Sequence, residues 1–180
     1  MIVRDPTEAE IGPLAQLWYA GWQDAHERLV PAELARMRTL QSFQGRLAAA
    51  LHRVRVAGPV DAPLGFCMIK DDELNQLYVS SEARGSGIAA RLLADAEARI
   101  SAGGSRTAWL ACAIGNHRAA RFYEKQAWVR AAAVTVDLET ESGTYPLEVW
   151  RYEKLLQRQG PAAPVPCVSA RTIAPDPERP

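Results

Sequence analysis

The stretch from Leu77 to Ile100 constrains the fold more than any other part of the chain. Leu77-Tyr78-Val79 ends a segment of strand character. Ser80-Ser81-Glu82-Ala83 follows, and then Arg84-Gly85-Ser86-Gly87-Ile88-Ala89. Beyond Gly87 the apolar residues Ile88, Leu92, Ala96 and Ile100 recur at helical spacing until Gly103-Gly104 stops them. A period of two thus gives way to a period of 3.6 across a loop of small residues. Such a switch places a strand end against a helix start, where successive free N–H groups converge. The helix dipole adds about 0.3–1 kcal/mol in favour of an anion there. Two readings of the glycines stand at this point. They either cradle a phosphate or pyrophosphate, or only form a turn and permit tight helix packing.

Other phosphate loops fit less well. A Walker A loop requires Gly-Lys-Ser/Thr at its end, and Ile88-Ala89-Ala90 stand there. Gly85, Gly87 and Ala90 do match the G-x-G-x-x-A dinucleotide pattern. However, several residues separate strand from glycine, and the span Ser105 to Cys112 holds no acid for a ribose.

The surrounding pattern is mixed. Ile2 to Arg4 reads as a short strand, and Thr7 with Glu10 has capping-box spacing ahead of the helical series Ile11, Leu14, Leu17, Trp18, Trp22. Pro31 to Leu51 reads as a second helical stretch. Arg53–Ala57, Leu64–Lys70 and Glu73–Val79 form a meander. Thr107–Ala113 is a buried strand, Asn116–Gln126 a helix, and Val129–Leu138 and Leu147–Lys154 two closing strands, with Glu139–Pro146 a loop between them. The class this predicts is α+β, a mostly antiparallel sheet interrupted by helical crossovers. Folded sequence is expected over 1–156. From Gln157 to Pro180 proline accumulates and periodicity ends, which predicts a disordered tail.

Composition narrows the function. With 180 residues and 48% hydrophobic content, the chain suits one domain with an ordinary core. Twenty-one basic side chains balance 21 acidic ones, so there is no general pull toward nucleic acid, and a bound polyanion must be gripped locally. No apolar run is long enough for a membrane span, and the N-terminus lacks the apolar core of a secretory signal. Cys67, Cys112 and Cys167 are scattered without metal-ligand spacing, which argues against a metal site or disulfide framework. A cytoplasmic location is expected.

Taken together, two motifs resemble the GNAT superfamily of N-acetyltransferases. Arg84, Gly87 and Ala89 match its [QR]-x-x-G-x-[GA] loop after the strand ending Leu77-Tyr78-Val79. Asn116, Ala119, Phe122, Tyr123, Glu124 and Lys125 match its N-x-x-A-x-x-F-Y-E-K helix. The likeness spans about Ile2 to Lys154 and is only general in the first third. It implies a twisted mixed sheet flanked by helices and splayed in the middle, with acetyl-CoA lying in the splay. One departure stands out: the family's Gly-Phe after this helix is Ala127-Trp128 here. If position 127 is left-handed, alanine costs about 1 kcal/mol relative to glycine.

The resemblance also implies roles. Leu77, Tyr78 and Val79 would bind the cofactor, with a backbone N–H at Val79 or its neighbour facing the thioester oxygen. The amides of Arg84, Gly85, Ser86, Gly87, Ile88 and Ala89 would take the pyrophosphate. Asn116 and Tyr123 share a helix face and would both reach the cofactor, Phe122 packing inward. Tyr123 would act as general acid toward the departing thiolate. Glu73, eleven positions before Arg84, is the expected base; alternation puts it on the face of Asn75, Leu77 and Val79 unless a bulge intervenes. Glu73 as a solvated strand end beside Asp71 and Asp72 is the other reading.

Trp18, Trp22 and His26 lie four apart and either wall an acceptor pocket or, for the tryptophans, fill the core. Cys112 reads as a buried small hydrophobe. Arg91, Arg118 and Arg121 either meet phosphates or sit on solvated helix faces. Acetyl transfer to an amine of a small molecule or protein is the leading function, and a catalytically silent acyl-CoA-binding module the alternative. Dimerisation through terminal strands is a family habit that nothing in the sequence tests.

Overall fold

The computed structural model describes residues 2–140 and 142–157. The proline-rich stretch lies, beyond Gln157, outside the described residues. In chain order the elements are β1 (Val3–Arg4), α1 (Ile11–His26), α2 (Ala32–Met37), α3 (Leu40–Ala50), β2 (Val54–Ala57), β3 (Gly65–Lys70), β4 (Glu73–Val79), α4 (Ile88–Ala102), β5 (Thr107–Ala113), α5 (His117–Lys125), β6 (Val129–Thr140) and β7 (Gly143–Leu155). The strands form one seven-stranded sheet in the order β1-β2-β3-β4-β5-β7-β6. Every neighbouring pair is antiparallel except β4–β5, so the sheet is mixed and the α+β expectation holds.

Strand alternation divides the interior into two cores. Along β3, Phe66 and Met68 face one way and pack with Leu14, Trp18, Trp22, Phe43 and Leu47 from α1 and α3. Cys67 faces the other way, toward Ile88, Leu92, Leu93, Ala96 and Ile100 of α4. The period of two in the strand and of 3.6 in each helix is what lets one strand serve both cores. Gly21 is where α1 crosses β4: a Cβ there would meet Tyr78 Cδ1 at 2.7 Å. Only glycine permits that approach.

Local chemistry sets the element ends. Glu10 is 1% exposed. Its carboxylate accepts from Arg4 Nη2 at 2.6 Å, from Arg4 Nη1 at 2.8 Å and from the Thr7 amide at 2.9 Å. The expected capping partners therefore do meet, around a single 3-10 turn (Glu8–Glu10) that leads into α1. The hydrogen bonds from Arg4 hold the Glu10 carboxyl below its ordinary value, with burial opposing.

Two expectations need correction. The helical stretch from Pro31 to Leu51 is broken at Arg38, whose φ of −92° and ψ of 71° leave the helical region. Thr39 then caps α3, its hydroxyl oxygen accepting from the Ser42 amide at 3.1 Å, an alternative partner that competes with continued helix. Likewise, Glu139–Pro146 is no long loop. β6 and β7 pair out to Thr140 and Gly143. Pro146 is tolerated inside β7 because β7 pairs with β5 only from Val149 onward, leaving one neighbour at that level.

Candidate active site

β4 and β5 share a single register pair, Glu73 with Trp109. Asp72 closes that end: its carbonyl accepts from the Trp109 amide at 3.1 Å and its carboxylate from the indole Nε1 at 3.0 Å. Further along, the parallel strands part, and a cavity of about 620 Å³ opens between them. Its walls include Glu73 to Val79 of β4, Ala111 to Ala113 of β5, the loop into α4, and Asn116, Phe122 and Tyr123. All the expected site residues except Ser86 line this one cavity; Ser86 sits in the same loop, with its hydroxyl donating to the Ala83 carbonyl at 2.6 Å.

A bulge decides which way Glu73 points. From Gly65–Val79 to Met68–Gln76 the β3–β4 register is continuous, but Ile69 pairs with Leu74, so Asn75 is an extra residue in β4. Leu74 consequently packs into the α4 core together with Leu77. Glu73, opposite Lys70, falls on the side of Gln76 and Tyr78, toward α1 and α3. The face shared with Leu77 and Val79, expected from simple alternation, is thus corrected. Burial raises the Glu73 carboxyl above its ordinary value, against the favourable hydrogen bond from Asn75.

The ladder also fixes the amides. Ser80 donates to the Leu64 carbonyl at 2.9 Å, continuing the β3 register. Because donors alternate along an antiparallel edge, Val79 aims its N–H the other way, into the widening gap with β5.

At the head of α4, Gly85 (φ +79°) and Gly87 (φ +84°) are left-handed. The loop's own bonds are few: Arg84 N to Ser81 O at 3.4 Å, Ser86 N to Ala83 O at 3.3 Å, and Arg91 N to Gly87 O at 3.2 Å. The amides of Gly85, Gly87, Ile88, Ala89 and Ala90 find no acceptor among the described residues. This is the arrangement an anion completes, with five donors at a helix N-terminus and no side-chain cap. Asp24 of α1 accepts from Arg84 at 2.7 Å and from Arg118 at 2.6 Å, bringing both cations to the cavity rim.

On α5, Asn116 acts as N-cap, its Oδ1 accepting from the Ala119 amide at 3.1 Å. Tyr123 and Phe122 both face the cavity, so Phe122 is not confined to the core as expected. Burial drives the Tyr123 phenol well above its ordinary value, so it keeps its proton at neutral pH. The helix ends with Ala127 N to Glu124 O at 3.1 Å and Trp128 N to Tyr123 O at 3.0 Å, a Schellman pair. Ala127 takes the left-handed position at φ +63°. Trp128 is buried, and its Nε1 donates to Glu97 at 2.8 Å.

Trp18 and Trp22 both belong to the core, and Trp22 with His26 also lines the cavity. Burial lowers the His26 imidazole to about 4, which leaves it uncharged at neutral pH. Cys112 is buried and its thiol is pushed up to about 11 by that burial, as suits a small hydrophobe. Arg121 is exposed and absent from the wall. Two charged wall residues escaped the sequence reading, Arg38 at the helix break and Arg46 of α3. Nothing in their local sequence separates them from solvated helix cations. Among the described residues no cluster of histidine, cysteine and acidic side chains could hold a metal, and no helix is long and apolar enough to cross a membrane.

Comparison with known proteins bears on this geometry. A family model described as the acetyltransferase (GNAT) family matches residues 15–128. No curated protein matches the sequence. A GCN5-related N-acetyltransferase from Rhodopseudomonas palustris is similar at 20% identity and a TM-score of 0.67, over 86% of this chain and 95% of that one. The PaiA N-acetyltransferase of Thermoplasma acidophilum, solved in complex with coenzyme A, is 17% identical with a TM-score of 0.65, over 86% and 98%. YncA of Salmonella typhimurium, solved with its cofactor acetyl-CoA, is 15% identical with a TM-score of 0.64, over 93% and 99%. At these identities the likeness extends to the fold.

Proposed function

Because the chain belongs to the acetyltransferase (GNAT) family, we propose that it moves an acetyl group from acetyl-CoA to an amine, directly, within a ternary complex. The splay between β4 and β5 carries this proposal. Acceptor-free amides at the head of α4 open into the same cavity as a strand-end amide, a partly buried carboxyl and a phenol. The relatives solved with coenzyme A and acetyl-CoA support the donor.

The reaction needs few parts. The neutral amine nitrogen bonds to the acyl carbon as the carbon–sulfur bond breaks; from that form nitrogen loses one proton and sulfur gains one. The amides of Gly85 and of Gly87 to Ala90, with Arg84 beside them, would hold the diphosphate of the donor, which explains how a chain of balanced charge retains a polyanion. The Val79 amide would face the acyl oxygen as negative charge develops there, a donor typically worth about 3–4 kcal/mol. A lysine-like ammonium at pH 7 must lose its proton, a cost of about 4–5 kcal/mol. Glu73 is suited to accept that proton, directly or through water, since burial raises its basicity. Tyr123 retains its phenolic proton and would deliver it to the departing sulfur. A cytoplasmic location accords with Cys67 and Cys112 being buried free thiols.

Thiol release from acetyl-CoA with a panel of amines tests the activity. Tyr123→Phe should lower kcat by about 10²–10⁴-fold while acetyl-CoA affinity by calorimetry is retained. Absence of turnover with every amine would leave only a silent acyl-CoA-binding module, and a Tyr123→Phe variant as fast as an active parent would remove Tyr123 as the general acid.

A further inference from the structure

The acceptor side of the cavity holds two guanidinium groups, and among the described residues the one acidic side chain in its wall, Glu73, forms an ion pair with neither. Arg38 is 5% exposed, and its Nη1 donates to the Glu139 carbonyl at 2.8 Å. An arginine has five N–H donors, so most of its capacity is left over. Arg46 lies with its Cζ 4.5 Å from the centroid of the Trp18 ring. Stacking occupies one face of the guanidinium and leaves its edge free to donate. Among the described residues neither arginine has an acidic oxygen within 4.0 Å. The nearby Glu139 carboxylate is taken by Lys70 at 2.8 Å, and Tyr78 stays a neutral phenol because burial raises it.

A buried cation without an ion-pair partner, such as Arg38, is costly, and the half-buried Arg46 adds like-charge repulsion. Burial lowers Arg46 to about 10 and Arg38 pushes it in the same direction, with the Glu139 carboxylate opposing in part. Burial lowers Arg38 as well. A carboxylate arriving from outside would remove that cost for both. The β4 bulge matters here, because it turns Glu73 toward α1 and α3, into the part of the cavity that Arg38 and Arg46 line. One molecule can then present an amine to Glu73 and an anion to the arginines. Trp22, Val30 and Leu34 supply apolar wall in the same cavity.

We propose that the acceptor is a small aminocarboxylate whose carboxylate is gripped by Arg38 and Arg46 while its amine meets Glu73. The proposal rests on the acetyl-transfer function above. Arg38 and Arg46 are thereby specificity-determining residues. Planar guanidinium donors suit a planar carboxylate, and charge-assisted pairs of this kind discriminate by roughly 10–100-fold.

The test uses the full chain with acetyl-CoA and matched acceptors: α-, β- and ω-amino acids, each against its own amide and its decarboxylated amine. Short acidic peptides form a further arm. At least one free amino acid should exceed its amide by about 10-fold or more in kcat/KM. In Arg46→Met, which keeps an unbranched apolar stem over Trp18, that ratio should collapse toward one, mostly through KM. Arg46→Lys should restore part of it. Calorimetry with acetyl-CoA checks that each variant folds; Arg38→Met is the second variant, and the parent's acid-to-amide ratio decides the matter even if both variants unfold. Equal use of acids and amides, turnover of peptides alone, or variants that slow both classes alike would overturn the proposal. If no amine releases thiol, yet an amino acid binds the parent and not Arg46→Met, acetyl transfer fails and the carboxylate grip stands.

Discussion

Ala127 holds a position where the backbone needs φ near +63° and the side chain is exposed. Its Cβ therefore strains the turn and packs against nothing that would compensate. Ala127→Gly should stabilise by about 0.5–1 kcal/mol, the relief of strain outweighing the added freedom of the unfolded chain. Thermal unfolding would read this as a rise of a few degrees. Glu73 presents the opposite case, strained by charge rather than by geometry. Its folded carboxyl titrates above its unfolded value because burial penalises the anion. Its contribution to stability is therefore full below the unfolded value and lost as pH rises through the folded one. Where the group is ionised it costs stability, and the ionised form is the one the proposed proton transfer would require. Glu73→Gln should raise Tm slightly at pH 7. It should also lower kcat/KM by about 10²–10⁴-fold and erase an acidic limb lying above the ordinary carboxylate value. An unchanged limb would remove Glu73 from the reaction.

Among the elements, the loop leading into α4 was the most legible, because its signal is local. A strand end, two left-handed glycines and a helical stripe follow one another within about twenty-five residues, and each leaves a mark on composition or period. Gly85 and Gly87 have nothing within 4 Å of a built Cβ, so their requirement is conformational, not spatial. Gly87→Ala should accordingly cost about 1 kcal/mol of stability. A larger effect is expected on acetyl-CoA affinity, because turning one peptide re-aims neighbouring amides; calorimetry and melting on the same variant separate the two. The features that escaped the sequence are non-local. The extra residue at Asn75 appears only in the pairing of β4 with β3, and a bulge adds no residue type of its own. The break at Arg38 depends on Thr39 capping α3 and on the Glu139 carbonyl arriving from β6. Arg38 and Arg46 read as solvated helix charges until the tertiary fold turns them inward. The loop at the head of α4 was thus readable, and the cavity wall that α2 and α3 supply was not.

At the scale of the whole molecule, two cores flank a sheet whose halves share one register pair, at Glu73 and Trp109. Exposed ion pairs through Asp24 also tie α1 to the cavity rim, and pairs of that kind contribute little. A ligand bound in the splay touches both halves. At about 100 times its dissociation constant it should add about 2.7 kcal/mol to stability. Such a gain alone does not locate the ligand, because any binder of the folded state produces it. Hydrogen exchange does. The amides of Gly85, Gly87, Ile88, Ala89 and Ala90 have no acceptor among the described residues, so in the free protein they should exchange near the rate of an unprotected chain. Global stabilisation cannot slow them, since they need no unfolding to exchange; only a group that accepts their hydrogen bonds or excludes water can. Saturating acetyl-CoA should therefore slow these amides sharply, together with Val79. The tip of the β6–β7 hairpin near Thr140 and Gly143 should change little beyond the global gain. If the five amides stay fast while the molecule as a whole melts later, the donor binds elsewhere and the splay is not its site.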